Sequence, residues 1–228
     1  MFKTTKITNN TSLFRFGNPL KTGAVLTEST DFSVTEKLDK FSVTSSDKKT
    51  TLTYKLSEKD KIFGLGENLG GLNKRGKIYR MYAVDDPNQS PERENLYCSH
   101  PFMMVQGKVT FGIFIDFGSE IVFDVGFTDS DVLSITIYSH NFDLYIFEVP
   151  DLTTILREYL LLTGPSYIPP KWAFGYQQSR WSYKDKTEVL QVAKKFCELK
   201  IPCDAIYLDL DYMDNYKVFT VNEERFPD

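Results

Sequence analysis

One change of rhythm along the chain limits what it can fold into. From residue 1 to about residue 148, apolar residues recur in short alternating or β-branched runs, among them FSVT (41–44), TLTYKL (51–56), VTFGIFIDF (109–117) and VLSITIYS (132–139). A period of two sends successive side chains to opposite faces, so these runs read as strands. Turn-forming stretches such as TSSDKK, LGGLNKRG and DDPNQSPERE separate them. Nothing before about residue 150 has helical periodicity, and no unit repeats at a period of roughly 20–50 residues. This pattern predicts a mainly β domain built as a sandwich or an open sheet pair.

The rhythm then changes, in VPDLTTILREYLLLTGPSYIPPKW. Asp151 fits an N-cap, and Leu152, Ile155, Leu156, Tyr159 and Leu160 fall at helical spacing until Gly164 and Pro165 stop them. SYIPP follows as an extended linker, because Pro169-Pro170 forbids a helix. Beyond it the spacing predicts strand, helix and strand. WAFGYQ (172–177) is the first strand. SYKDKTEVLQVAKKFCELK (182–200) is the helix, with Asp185 and Glu188 capping its start, Lys194, Lys195 and Lys200 complementing its end, and Val189, Val192, Ala193, Phe196 and Leu199 on one face. AIYLD (205–209) is the second strand, an apolar run through Leu208 as in a parallel sheet. A unit of this spacing gives parallel neighbours with a right-handed crossover.

Three aspartates, Asp209, Asp211 and Asp214, crowd the end of that second strand. The C-terminal edge of a parallel sheet is where α/β sites lie. A calcium loop is excluded, since Asp214 stands where the turn glycine belongs and Thr220 where the bidentate glutamate belongs. Two chemistries remain open. Asp209-x-Asp211 has the spacing of the metal- and diphosphate-binding pair of a glycosyltransferase, although no upstream glycine cradle accompanies it. Alternatively a single aspartate accepts hydrogen bonds from two adjacent sugar hydroxyls. Asp214 reads as a cap of the following turn, and Asp209, nearest the strand end, as the functional group.

Composition narrows the partners. Acids and bases are interspersed at a formal net charge of −4, which excludes nucleic acid and an anionic membrane surface as natural partners. The start, MFKTTKITNN, has no apolar core of a leader, and no apolar run approaches ~18 residues, so a cytoplasmic protein is expected. Cys98, Cys197 and Cys203 form neither a disulfide framework nor a zinc pair and are expected to be reduced, mostly buried thiols. The 18 Phe and 13 Tyr suit sugar stacking, but a β-rich core uses them equally well.

Several long stretches also resemble a known family. PPKWAFGYQQSRWSY, IPCDAIYLDLDYMDNYKVFT and RFPD closely resemble the first barrel segment of glycoside hydrolase family 31, which contains α-glucosidases and α-xylosidases. IFGLGENLGGLNKRGKIYRMYAVDD and NLYCSHPFMM look like the same family's N-terminal sandwich. The resemblance covers roughly residues 60–228. It implies a sandwich similar to galactose mutarotase over 1–148, a connecting helix and Pro-rich linker over 149–170, and the first β-α-β part of a (β/α)8 TIM barrel over 171–228. By the same resemblance Asp209 binds hydroxyls of the sugar in the −1 subsite, Leu210 is its apolar neighbour, and Trp181 is an aromatic wall of that pocket. Asp85, with Asp86 beside it, sits on a sandwich loop that reaches the +1 sugar, and Tyr82 stands where the family has a tryptophan. The plainer alternatives are a core role for Trp181 and an ordinary loop acid at Asp85. Glu67 reads as a turn or interdomain hydrogen-bonding residue, Arg180 as an ion-pair anchor, and His100 and His140 as structural.

Retaining glycosidases cleave with two carboxylates about 5 Å apart. The family's nucleophile motif, resembling Trp-x-Asp-Met-Asn-Glu, and its acid/base do not occur before Asp228. The expectation is therefore an N-terminal fragment of a retaining α-glycosidase, most closely an α-glucosidase acting on small α-glucosides. Such a chain is inactive alone, needs no cofactor or metal, and is open to homo-oligomerisation. A non-catalytic carbohydrate-binding module and a metal-dependent glycosyltransferase stand as the other readings.

Overall fold

Alternation in the sequence becomes one-sided burial in the structure. In a computed structural model, which describes residues 2–27, 29–35 and 37–227, the chain divides into two units, 1–165 and 166–228. The first unit holds two antiparallel sheets. Seven strands run in the order β3 (Ser33–Thr35), β1 (Phe2–Lys6), β2 (Thr11–Phe16), β12 (Phe142–Phe147), β9 (Phe111–Asp116), β8 (Phe102–Gln106) and β6 (Lys61–Gly64). Five run in the order β4 (Ser42–Ser46), β5 (Lys49–Lys55), β11 (Val132–Ile137), β10 (Ile121–Val125) and β7 (Lys77–Met81). Along β10 and β11 only alternate residues are buried: Ile121, Phe123 and Val125, then Leu133, Ile135 and Ile137. These side chains meet Phe111, Ile113, Ile115, Phe142, Leu144 and Ile146 of the opposite sheet in the inter-sheet core.

Strands β9 and β12 do not alternate, because both their faces are covered. Helix α1 (Leu152–Thr163) lies on the outer face, where Ile155 and Leu162 pack with Phe102, Phe114, Tyr145 and Phe147. Asp151 caps it as expected, accepting from the Thr154 amide at 2.9 Å, and Gly164 ends it at φ 84°. Gly112 stands opposite Phe147 in the β9–β12 register. A Cβ there would lie 2.4 Å from Ile155 Cγ2, so its absence is what lets the helix approach the sheet. The aromatic residues therefore serve the core first: Phe111, Phe123, Phe142 and Phe147 are fully buried.

One buried group on α1 is charged. Glu158 accepts from the Thr8 hydroxyl at 2.7 Å, Asn10 Nδ2 at 2.8 Å and the Thr11 hydroxyl at 2.8 Å, tying the helix to the β1–β2 turn. Burial pushes its carboxyl up, but Asn10, Thr8 and Thr11 together outweigh that and hold it below the usual carboxylate range.

The second unit is a strand–helix–strand. Strand β13 (Gln177–Ser179) pairs in parallel with β14 (Ala205–Tyr207), joined through α2 (Lys186–Glu198). Asp185 accepts from the Glu188 amide at 2.9 Å, and the Glu188 side chain accepts from the Lys184 amide at 2.7 Å, so both expected caps are made. The first strand starts later than WAFGYQ suggests. Aromatic residues there read as β, but Lys171–Phe174 form a 3-10 turn after Pro170, closed by Ala173 N–H to Pro170 O and Gly175 N–H to Trp172 O, each 3.0 Å. The second strand stops at Tyr207, two residues short of the expected end. The cysteines also differ from expectation. Cys98, in a loop, and Cys197, in α2, are exposed, and Cys203 is half-buried; all three are free thiols.

Candidate functional site

Parallel pairing of β13 and β14 sends both chains out at the same edge, and an open hollow of about 810 Å³ lies there. Its size falls within the roughly 300–1,000 Å³ of small-molecule sites. Ser179, Arg180 and Trp181 line one side; Ile206, Tyr207, Leu208, Asp209 and Tyr212 line the other. The residue after Leu208 is turned sharply. Asp209 has φ 64°, the left-handed region that Asp enters more readily than most residues.

The three aspartates have different environments. Asp211 accepts from the Tyr216 hydroxyl at 2.8 Å, and that bond, with Ser182 next, holds its carboxyl below the usual range. Asp214 is tied into the following turn: its amide donates to Thr220 Oγ1 at 3.0 Å, its carbonyl accepts from Lys217, and its carboxylate accepts from Asn215. Asp209 alone of the three takes no hydrogen bond or ion pair among the described residues, and it faces the hollow. Trp181, 83% exposed, shares the hollow with it. Leu210, 45% exposed, lies outside the lining and opens the next turn by accepting from the Met213 amide; Leu208 occupies the apolar position in the hollow. Arg180 pairs with Glu188 at 3.5 Å, the anchoring role expected of it, and its guanidinium lies 5.4 Å over the Tyr183 ring. Tyr183 is fully buried, and its hydroxyl has no partner among the described residues.

Asp85 belongs to the first unit, on the loop 82–101 between β7 and β8. Its carboxylate accepts from the Tyr97 hydroxyl at 3.0 Å. Its neighbour Asp86 is engaged within the loop, accepting from the Asn88 amide at 2.8 Å and pairing with Arg93. Glu67 locks the far end: its amide donates to Cys98 O at 2.8 Å and its carboxylate accepts from Cys98 N at 3.0 Å. That approach explains the glycine before it, because a Cβ on Gly66 (φ 71°) would lie 2.5 Å from Cys98 O. His100 bonds the Tyr159 hydroxyl at 2.8 Å and is pushed below its ordinary pKa by burial, and His140 bonds Thr50 at 3.0 Å, so both are structural. Sequence reasoning missed Tyr97, Ser179 and Tyr212. Tyr97 lies inside the NLYCSHPFMM stretch, but only the folded loop shows what its hydroxyl touches.

An antiparallel sandwich followed by a parallel β-α-β segment, with a free carboxylate and an aromatic face at its strand edge, has the layout of the N-terminal part of a barrel glycosidase. Residues 3–124 match the glycosyl hydrolase 31 N-terminal galactose mutarotase-like domain, and residues 166–228 match the glycosyl hydrolases family 31 TIM-barrel domain. The chain belongs to glycoside hydrolase family 31. It is 41% identical over 174 residues to alpha-glucosidase 2 of Bacillus thermoamyloliquefaciens, covering 75% of this chain and 22% of that one. It is 35% identical over 181 residues to an alpha-glucosidase of Saccharolobus solfataricus, covering 79% and 26%. The chain thus spans about a quarter of the length of these relatives. Its fold matches that of a Flavobacterium johnsoniae family 31 dextranase, solved with isomaltotriose, at a TM-score of 0.82 and 23% identity over 96% of this chain and 32% of that one. Membership in this family sets aside the glycosyltransferase reading of Asp209-x-Asp211.

Proposed function

We propose that this chain supplies part of the sugar-binding apparatus of a retaining α-glucosidase that cleaves terminal glucose from small α-linked oligosaccharides. The observation that carries the reading is the Asp209 carboxylate, without a hydrogen-bond or ion-pair partner among the described residues and set with Trp181 around one hollow at the strand edge. A short carboxyl side chain there accepts from two adjacent hydroxyls of the terminal sugar, while the exposed indole takes the sugar's apolar C–H face. Leu210 supports the turn that presents Asp209, and Asp85, on its own loop of the first unit, accepts from a sugar hydroxyl. The nucleophile and the acid/base are assigned to none of these residues.

The test is hydrolysis of p-nitrophenyl α-D-glucoside. The 228-residue chain alone is expected to release no p-nitrophenol. In the longer hydrolase that carries it, Asp209→Asn is expected to lower kcat/KM by about 10²–10⁴, as loss of two charge-assisted hydrogen bonds requires. Turnover by the chain alone, abolished by Asp209→Ala, overturns the reading.

A further inference from the structure

We propose that the first unit carries a sugar site of its own on the outer face of the seven-stranded sheet, where the Tyr145 hydroxyl, the Arg15–Asp143 pair and Asp116 take one neutral sugar ring. All of its residues belong to the first unit, and neither Asp209 nor Asp85 takes part. Strand pairing brings the groups together. Arg15 stands opposite Asp143 in the β2–β12 register, and Asp143 opposite Asp116 in the β12–β9 register, so three strands lay one polar row across the sheet. Lys3 of β1, opposite Arg15, extends the row to an exposed rim. Tyr145 lies two residues beyond Asp143 and therefore on the same face, between Leu13 and Phe114. A hollow of about 380 Å³ lies over these residues. That is the small end of the roughly 300–1,000 Å³ of small-molecule sites, room for a single ring rather than a chain.

Tyr145 is the residue that points to a ligand. Its ring packs with Leu13 and Phe114, and only 3% of the residue is exposed. Its hydroxyl nevertheless has no hydrogen-bond partner among the described residues, and the side chain lines the hollow. A buried hydroxyl is costly without a partner, and the hollow is where one can come from. The far wall, formed by residues 18–27 and Ser29, is tied down at intervals. Asn18 N–H donates to Asn141 Oδ1 at 2.8 Å, the Thr22 hydroxyl to Asp116 Oδ1 at 2.5 Å, Leu26 N–H to Leu162 O at 2.8 Å, and the Ser29 hydroxyl to Thr5 Oγ1 at 3.3 Å. A site held this way needs little ordering when a ligand arrives.

The groups around that hydroxyl both give and accept. Arg15 donates to Asp143 twice, Nε to Oδ1 at 2.8 Å and Nη2 to Oδ2 at 2.6 Å, and its guanidinium rests 4.8 Å over the Phe32 ring. Its other N–H groups stay available, and each Asp143 oxygen keeps a lone pair. Asp116 has Oδ1 on Thr22 and Oδ2 without a partner among the described residues. Burial, with Asp143 and Asp116 adding to it, pushes the Tyr145 phenol above its ordinary range, so it remains a donor at neutral pH. A sugar hydroxyl gives one hydrogen bond and accepts others, and adjacent hydroxyls match the flat edges of a carboxylate and a guanidinium. Charge selects in the same direction. An anion would meet Asp116 and Asp143, and a cation would meet Arg15 and Lys3, so the balanced set admits a neutral ligand and turns ions away.

NMR titration of the 228-residue chain, carrying ring-labelled tyrosine, with methyl α-D-glucoside tests this. The Tyr145 signal, assigned with Tyr145→Phe, is expected to shift saturably, and to do so equally in Asp209→Ala, which alters the strand-edge hollow. In that Asp209→Ala background, Tyr145→Phe is expected to weaken sugar binding about two- to tenfold, the loss of one hydrogen bond, and Asp116→Asn by at least as much. Tyr145→Phe should leave Tm unchanged or raise it, since the hydroxyl it removes has no partner among the described residues. No saturable shift up to roughly 100 mM sugar overturns the proposal. A shift that disappears in Asp209→Ala belongs to the strand-edge hollow and overturns it while leaving the Asp209 reading intact. A shift produced by inorganic phosphate and not by the sugar shows an anion site and overturns it as well. A lower Tm in Tyr145→Phe with sugar affinity unchanged shows a structural hydroxyl and has the same consequence.

Discussion

Replacing Glu158 with glutamine changes one oxygen to an amide nitrogen and leaves the volume untouched, yet it should destabilise the sandwich measurably. The side chain is 8% exposed and gathers three donors, Thr8, Asn10 and Thr11, at 2.7–2.8 Å. As a carboxylate it satisfies all three with charge-assisted bonds of about 1.5–3 kcal/mol each, against about 0.5–1.5 kcal/mol for neutral ones. Glutamine offers one acceptor oxygen and turns its own amide protons on the Asn10 amide. Thr8 and Thr11 share the other oxygen and keep their bonds without charge assistance, while Asn10, half-buried, loses its acceptor and turns to water. Bonds sharing one acceptor are not additive, so the expected loss is about 2 kcal/mol, a fall in Tm of roughly 4–8 °C for a unit of this size. The pH dependence is the sharper check. Because the folded carboxyl is held below its unfolded value of about 4.3, its contribution is complete above that value and is lost as pH falls through the folded one. Protonated glutamate resembles glutamine, so the Tm difference between the two proteins should shrink as pH falls below the unfolded value and close once it passes the folded one. Equal Tm at pH 7, or a gap unchanged at low pH, would refute the reasoning.

Two further substitutions probe packing. Gly112→Ala should cost about 1–3 kcal/mol in urea unfolding, because the new methyl meets Ile155 Cγ2 at 2.4 Å and Phe147 Cδ2 at 3.1 Å; adding Ile155→Val should recover part of it, and an unchanged midpoint would mean the helix is free to shift. Tyr183→Phe should be neutral or stabilise by up to about 1 kcal/mol, since it removes a buried hydroxyl that has no partner among the described residues; a clear loss of stability would show that the hydroxyl is satisfied.

Much of this architecture was legible because local signals agreed. The alternation in residues 132–139 and the caps at Asp151 and Asp185 depend on near neighbours, and they carried over into β11, α1 and α2. Where a short-range signal met a stronger neighbour it failed: the aromatic run 172–177 favours a strand, but Pro169-Pro170 delivers the chain into a turn first. The burial of Glu158 has no local signal, because its partners lie 147–150 positions away. The candidate site divides the same way. Periodicity placed Asp209 at the edge of a parallel pair, whereas its sugar-binding role came from resemblance alone. The free state of Asp209, the commitment of Asp211 and Asp214 to their turn, and the Tyr97–Asp85 bond became visible only with the loops folded.

The pinned loop carries a consequence for how such an enzyme can diversify. Its base is fixed by Val84 to Leu96 and by Glu67 to Cys98, and Arg93 closes onto Asp86 just beneath the tip. Residues 87–92 lie between these two closing residues, mostly exposed and rich in proline and polar residues. Added length at the tip leaves the position of Asp85 unchanged. A lineage can therefore rewrite the side chains of this tip while inheriting the Asp85–Tyr97 hydrogen bond beneath it.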